Sequence, residues 1–194
     1  LGPKTLDKIL DYFNESILDV LQEENPIAIL GIPNVGKRVR EDLYRTLLGE
    51  GVLQDINEFF ATYHMSNRWS RKLYEVYGAK AVEVIRHNPY QLLRIDESLP
   101  FPVVDRFAEA LEFSLNSEHR LDAGILYTMK QITEYGHTCM PIEELMVQLS
   151  NLLGDDYIDV TVDRLETLIE TKRYVQVDHD DVLYIYHPTV YRAE

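Results

Sequence analysis

The sequence predicts a mainly α-helical protein in two parts, a pair of similar helical hairpins and then three helices with a small C-terminal β-hairpin. Three observations carry this. Apolar residues recur at spacings of three and four, as in Leu6, Ile9, Leu10 and Phe13. One layout occurs at residues 25–48 and again at 88–113: Asn-Pro, a short apolar stretch ending in Ile, a Pro-containing turn, then a helix. Period-two alternation comes only near the C-terminus, at Arg173–Val177 and Val182–Tyr186 around His179-Asp180-Asp181.

The elements follow in order. Gly2-Pro3-Lys4-Thr5 resembles the end of a hairpin turn, with a helix through Leu6–Phe13 behind it, and Ile17, Leu18 and Leu21 continue on a second short helix. Asn25-Pro26 starts the helix into the central turn, because the residue before proline is pushed out of the helical region. The helix after that turn is expected from Lys37 to Leu48, closed by Gly49-Glu50-Gly51, with a separate helix over 53–63. Ser66 reads as the N-cap of a helix that carries Trp69, Leu73 and Val76, and Trp69 is assigned to the core. Ala81–Ile85 is a short helix before the second copy. The turn of that copy is Ser98-Leu99-Pro100-Phe101, where Pro100 offers no N–H and no Lys or Arg appears before Arg106. Helices are then expected over Leu121–Glu134, Pro141–Leu153 and Val160–Thr171.

The turn at Pro33–Lys37 fits two phosphate-binding devices. Gly31-Ile32-Pro33-Asn34-Val35-Gly36-Lys37 satisfies G-x-x-x-x-G-K, but the motif continues with Ser or Thr to hold magnesium, and Arg38 stands there instead. A guanidinium is cationic and repels a metal ion. The other device is a hairpin turn whose following helix presents unpaired amides to a phosphate. That turn fits if Asn34 adopts the left-handed conformation that asparagine tolerates best among non-glycine residues. Asn34, Val35, Gly36, Lys37, Arg38 and Arg40 are then the candidate contacts, with Gly2, Lys4 and Thr5 at the partial turn. An αα-hairpin with a solvated basic face is the plainer alternative, and recurrence of the layout favours the phosphate-binding reading.

Composition narrows the classes. There are 19 Lys+Arg against 33 Asp+Glu, a net charge of −14, which argues against a surface broadly coated for nucleic acid. Cations exceed carboxylates only in segments around 31–45 and 64–90. The third expected helix near the C-terminus carries Asp159, Asp163, Glu166 and Glu170 against Arg164, so it is expected to repel phosphate and act as a spacer or docking element. Cys139 is the single cysteine, which excludes an internal disulfide and suits a reducing cytoplasm. The six histidines show no metal-ligand spacing, no catalytic constellation is present, and no apolar run is long enough to span a bilayer. A cytoplasmic location without a membrane partner is expected. The abrupt start at Leu1-Gly2-Pro3 is expected of a piece of a longer chain.

Several stretches together resemble the N-terminal region of RecD/TraA-type ATP-dependent DNA helicases, the group that includes the exodeoxyribonuclease V alpha subunit. They are GPKT, GIPNVGKRV, YGAKAVEVIRHNPYQL, PVVDRFAEAL, RLDAGILYTMKQITEYGHTCMPIEEL and the final VYRAE. The family's Gly-Ile-Gly turns are Asn34-Val35-Gly36 and Ser98-Leu99-Pro100 here. The recurrent hairpins and the order of three helices followed by a β-hairpin are read as a tandem helix-hairpin-helix bundle over 1–115 and a winged-helix-like unit over 116–194. The resemblance implies a non-catalytic accessory role in a 5′→3′ helicase of recombination and repair. The partners would be DNA, single-stranded or forked and bound without sequence preference, and motor domains that follow in the chain. No cofactor is expected in this segment, with ATP and magnesium bound elsewhere in the parent. The alternative is a protein-interaction or architectural module whose hairpins only pack.

Overall fold

The computed structural model describes residues 3–13, 27–134 and 137–187. The helix expected around Ile17–Leu21, the Asn25-Pro26 start and the C-terminal VYRAE lie outside those residues. The described chain is mainly helical with a small antiparallel sheet near its C-terminus. It divides into two compact units, Leu1–Val84 and Ile85–Glu194, so the second hairpin, grouped with the first in the sequence reading, falls in the same unit as the helices that follow it.

In the first unit, α1 (Pro3–Phe13) precedes a 3-10 turn at Ile27–Gly31 and the long helix α2 (Lys37–Thr62). Ile9 and Phe13 of α1 share one buried cluster with Ile29, Ile32 and Val35, against which Val39, Leu43 and Leu47 pack. The first hairpin is therefore held from below by α1. α2 runs unbroken through Gly49-Glu50-Gly51, which corrects the expected helix end at residue 48 and the separate helix over 53–63. Gly49 is buried, and a Cβ there would meet the Tyr74 hydroxyl at 2.7 Å. Its missing side chain admits α3 (Ser70–Tyr77) rather than ending α2. Ser66 caps as expected, its Oγ accepting from the Arg68 amide at 3.3 Å. Trp69 is buried edge-on to Phe60. α4 (Ala81–His87) follows.

In the second unit, a 3-10 turn at Pro89–Gln91, α5 (Leu92–Ile95) and α6 (Phe101–Ala110) make the second hairpin. Then come α7 (Glu118–Glu134), strand β1 (Cys139–Pro141), α8 (Ile142–Leu153), α9 (Ile158–Glu170), β2 (Val175–His179) and β3 (Val182–Tyr186). Leu121, Ile125, Met129 and Ile132 line one buried stripe of α7, facing Leu145, Leu149 and Leu153 among other core residues. Gly124 lets Leu153 approach to 2.8 Å from where a Cβ would stand. β2 and β3 pair through the turn at Asp180-Asp181, both with positive φ (52° and 63°), as a two-residue hairpin of primed type requires. β1 pairs with β3 in register Met140↔Ile185 and gives the sheet order β1-β3-β2. This strand was absent from the expectation: three residues are too few to carry an alternation to detect.

The second hairpin is joined to α7 by a buried ion pair. Arg120, 5% exposed at its side chain, grips Asp105 of α6 through Nε–Oδ1 and Nη2–Oδ2, both 2.8 Å, and also donates to the Leu115 and Leu153 carbonyls. Tyr90 donates its hydroxyl to the same Asp105 at 2.6 Å. The pair spans residue 115, which ties the second hairpin physically to the helices behind it.

Candidate nucleic-acid interface

The first hairpin turn is built from Ile32 and Val35 inward, both buried, with Pro33, Asn34 and Gly36 outside. Asn34 has φ 56°, the left-handed conformation expected of it. Gly36 is the N-cap of α2 at φ −57° and ψ 141°, with no side-chain cap, and the first helical bond is Arg40 N–H to the Gly36 carbonyl at 3.1 Å. The amides of the first helical turn have no intrahelical acceptors and carry the positive end of the helix dipole. A Cβ on Gly36 would meet nothing within 4 Å, so the cap is open to a ligand. The segment before the turn is a 3-10 helix, where a nucleotide-binding P-loop requires a strand.

The candidate side chains separate into two groups. Lys37 is 83% exposed and lies 3.8 Å from Glu41, a loose pairing on one helix face, and Arg38 is exposed beside it. Arg40 points the other way. Its Nη1 donates to the Leu30 carbonyl at 2.7 Å and the Ile32 carbonyl at 3.2 Å, closing the end of the 3-10 turn. Arg40 thus clips the hairpin instead of standing free at the helix start. Of the earlier partial turn, Gly2 lies outside the described residues, Lys4 is exposed and Thr5 half-buried. Lys8, one helical turn beyond Lys4, is the residue that reaches the hairpin, donating its Nζ to the Asn34 carbonyl at 3.0 Å. Sequence reasoning missed Lys8 because nothing local marks a contact 26 residues away.

The second hairpin reproduces the backbone and not the chemistry. Pro100 caps α6 at φ −67° and ψ 135°, close to Gly36, and Ile95 and Leu99 are buried as Ile32 and Val35 are. Its turn is stiffened by Asp96, whose Oδ1 accepts from the Ser98 amide and hydroxyl. The helix then opens on fully buried Phe101 and on Pro102, so two of the first three positions, Pro100 and Pro102, have no N–H. On α9, Asp159, Asp163, Glu166 and Glu170 are all exposed. Arg164 is turned onto Asp122, with Nε–Oδ1 at 2.6 Å, and onto Glu118 at 3.0 Å. The Asp122 hydrogen bond is the main cause that raises the guanidinium's pKa, fixing its charge in the pair.

A short helical segment, a tight turn and a following helix, repeated with the same cap geometry, define a helix-hairpin-helix protein. Residues 50–139 match the family model of the HHH domain of ATP-dependent RecD2 DNA helicases. Over that span the chain carries a helix-hairpin-helix domain, and the match supports the N-terminal region of a RecD-family helicase. The matched segment begins inside α2, so it contains the second hairpin and leaves the Pro33–Gly36 turn to be judged on its own geometry.

Proposed function

We propose that this region is a non-catalytic, DNA-binding accessory part of a 5′→3′ ATP-dependent DNA helicase, acting in the cytoplasm in recombination or repair. ATP and magnesium would be bound by motor domains elsewhere in the parent. The contact runs through the first hairpin, where the open, uncapped start of α2 meets one phosphate and Lys37 and Arg38 meet its neighbours. The observation that carries this reading is the empty space over Gly36 beside two exposed cations. Nothing at that turn reads a base edge, so binding is expected to be independent of sequence. The winged-helix-like order of α7–β3 supplies a spacer or docking unit, since its α9 faces outward with carboxylates.

Fluorescence anisotropy with single-stranded and forked DNA at several salt concentrations tests the proposal. Lys37→Glu combined with Arg38→Glu should weaken binding, and each lost phosphate contact should flatten the log–log salt slope by about 0.7–0.9. Arg106→Glu in the second hairpin should change little. Equal losses at both hairpins would show that bulk charge, and not the turn, holds the DNA. A second reading, a hairpin unit that only packs or docks a protein, is favoured for the second hairpin by Pro100, Phe101 and Pro102.

A further inference from the structure

A cavity of about 450 Å³ lies wholly within the second unit, between the second hairpin, α7 and the residues flanking the sheet. One wall is apolar and aromatic: Leu93, Leu126 and Tyr127, with Tyr174 deeper in. Leu126 is 42% exposed, large for an aliphatic side chain that a folded core would cover. Arg94, Lys130 and Arg173 line the same space. Three cations in one concavity stand out in a unit whose carboxylates outnumber its cations about two to one.

The carboxylates of the cavity are already committed. Asp122 is held by Nε and Nη2 of Arg164, from outside the lining, with Arg173 at a long 3.4 Å. Glu97 is bound to Lys130 at 2.7 Å. Arg94 is exposed and makes no ion pair among the described residues, and Arg173 is 57% exposed. The lining therefore combines a small excess of cations, three against two carboxylates, with aromatic and apolar side chains. A ligand that matches it carries a compact anion on a flat, apolar body.

We propose that this cavity binds a single nucleotide, with its phosphate against Arg94 and Arg173 and its base over Tyr127 and Leu126. Its volume lies at the small end of the range for ligand pockets, enough for one nucleotide and not for a run of them. An acidic peptide or a strand running along this unit would meet its carboxylates, such as Glu118 and those along α9, so a single terminal anion is favoured over a polyanion bound along its length. The nucleotide is either free or the phosphorylated end of a strand. This site is separate from the Gly36 turn and does not depend on it.

Calorimetric titration of the whole chain with dTMP, thymidine and inorganic phosphate tests the proposal. dTMP should bind saturably, and thymidine and phosphate should each bind at least about tenfold more weakly, the loss of a charge-assisted contact or of base stacking. Arg94→Glu should weaken dTMP by at least about tenfold. Leu126→Trp, which narrows the cavity without changing charge, should weaken it too, while circular dichroism confirms that both variants fold. Lys37→Glu with Arg38→Glu should leave dTMP binding unchanged, which separates failure here from failure of the hairpin reading. Competition by a 5′-phosphorylated short oligonucleotide, and not by its 5′-hydroxyl form, would identify a strand end as the source; absence of that competition would identify the free nucleotide. No saturable dTMP binding, or binding indifferent to both Arg94→Glu and Leu126→Trp, overturns the proposal, as does capture of an acidic peptide in place of dTMP.

Discussion

Gly36 and Pro100 show that the same backbone can be kept while the chemistry at a helix start is removed. Both caps sit in an extended conformation open to any residue, so Gly36 is not there for its dihedral freedom. It is there for the absence of a side chain over the amides. Asn34, by contrast, does occupy the left-handed region, and that role was legible from residue type alone. Arg40 was not legible. Its position in the first turn of α2 groups it with Lys37 and Arg38, yet its guanidinium is spent on two backbone carbonyls ten and eight residues back. A side chain as long as arginine can turn toward the ligand or toward the protein, and only the fold decides. Arg40→Ala is therefore expected to lower stability by about 1–3 kcal/mol, the range for losing hydrogen bonds from a charged donor. The change should appear in urea unfolding, with little change in the salt slope of DNA binding. A flattened slope with unchanged unfolding would return Arg40 to the ligand-facing group.

At the scale of elements, α2 is the instructive departure. Gly49-Glu50-Gly51 carries the signature of a helix end, and the helix passes straight through it. Composition could not distinguish a glycine that stops a helix from one that lets a neighbour in, because the neighbour, Tyr74, lies 25 residues away. The two glycines differ in a testable way. A Cβ on Gly51 would meet nothing within 4 Å, so Gly51→Ala should stabilise by about 0.8–1 kcal/mol through helix propensity. Gly49→Ala should give no such gain, because its Cβ would meet the Tyr74 hydroxyl. Tyr74→Phe should recover part of it, and the four proteins of that double-mutant cycle, unfolded in urea, measure the coupling. Additive effects would mean that α3 does not lean on Gly49. The acidic α9 was readable in full, since its four carboxylates alternate with a core stripe of Thr161, Leu165 and Leu168. Asp163→Lys with Glu166→Lys should accordingly leave DNA affinity unchanged, and crosslinking of DNA to residues 157–170 in the unmodified protein would contradict that.

For the molecule as a whole, the division into units follows buried polar chemistry that no local pattern announces. Repetition of the hairpin suggested grouping the two copies, but the second is bound to α7 by Arg120, Asp105 and Tyr90 within one compact unit. The same unit holds two tyrosines with displaced titration. Burial is the main cause that raises Tyr90, followed by its bond to Asp105, and burial likewise raises Tyr174, with Asp122 adding to it. A tyrosine whose folded pKa is raised stays neutral in the native state while the unfolded chain ionises near its ordinary value of about 10. The stability it contributes is therefore complete below about pH 10 and is lost as pH climbs above that. Both groups belong to the second unit, whereas the single tryptophan, Trp69, belongs to the first. Alkaline titration should thus reduce far-UV ellipticity from the second unit before Trp69 fluorescence changes. Tyr174→Phe removes one ionisable group without touching the Asp105 network, so it should move the ellipticity transition to higher pH and leave the fluorescence transition in place. If Tyr174→Phe unfolds at the same alkaline midpoint as the unsubstituted chain, burial of that phenol does not set the alkaline limit, and the limit would have to lie in the Tyr90–Asp105–Arg120 joint instead.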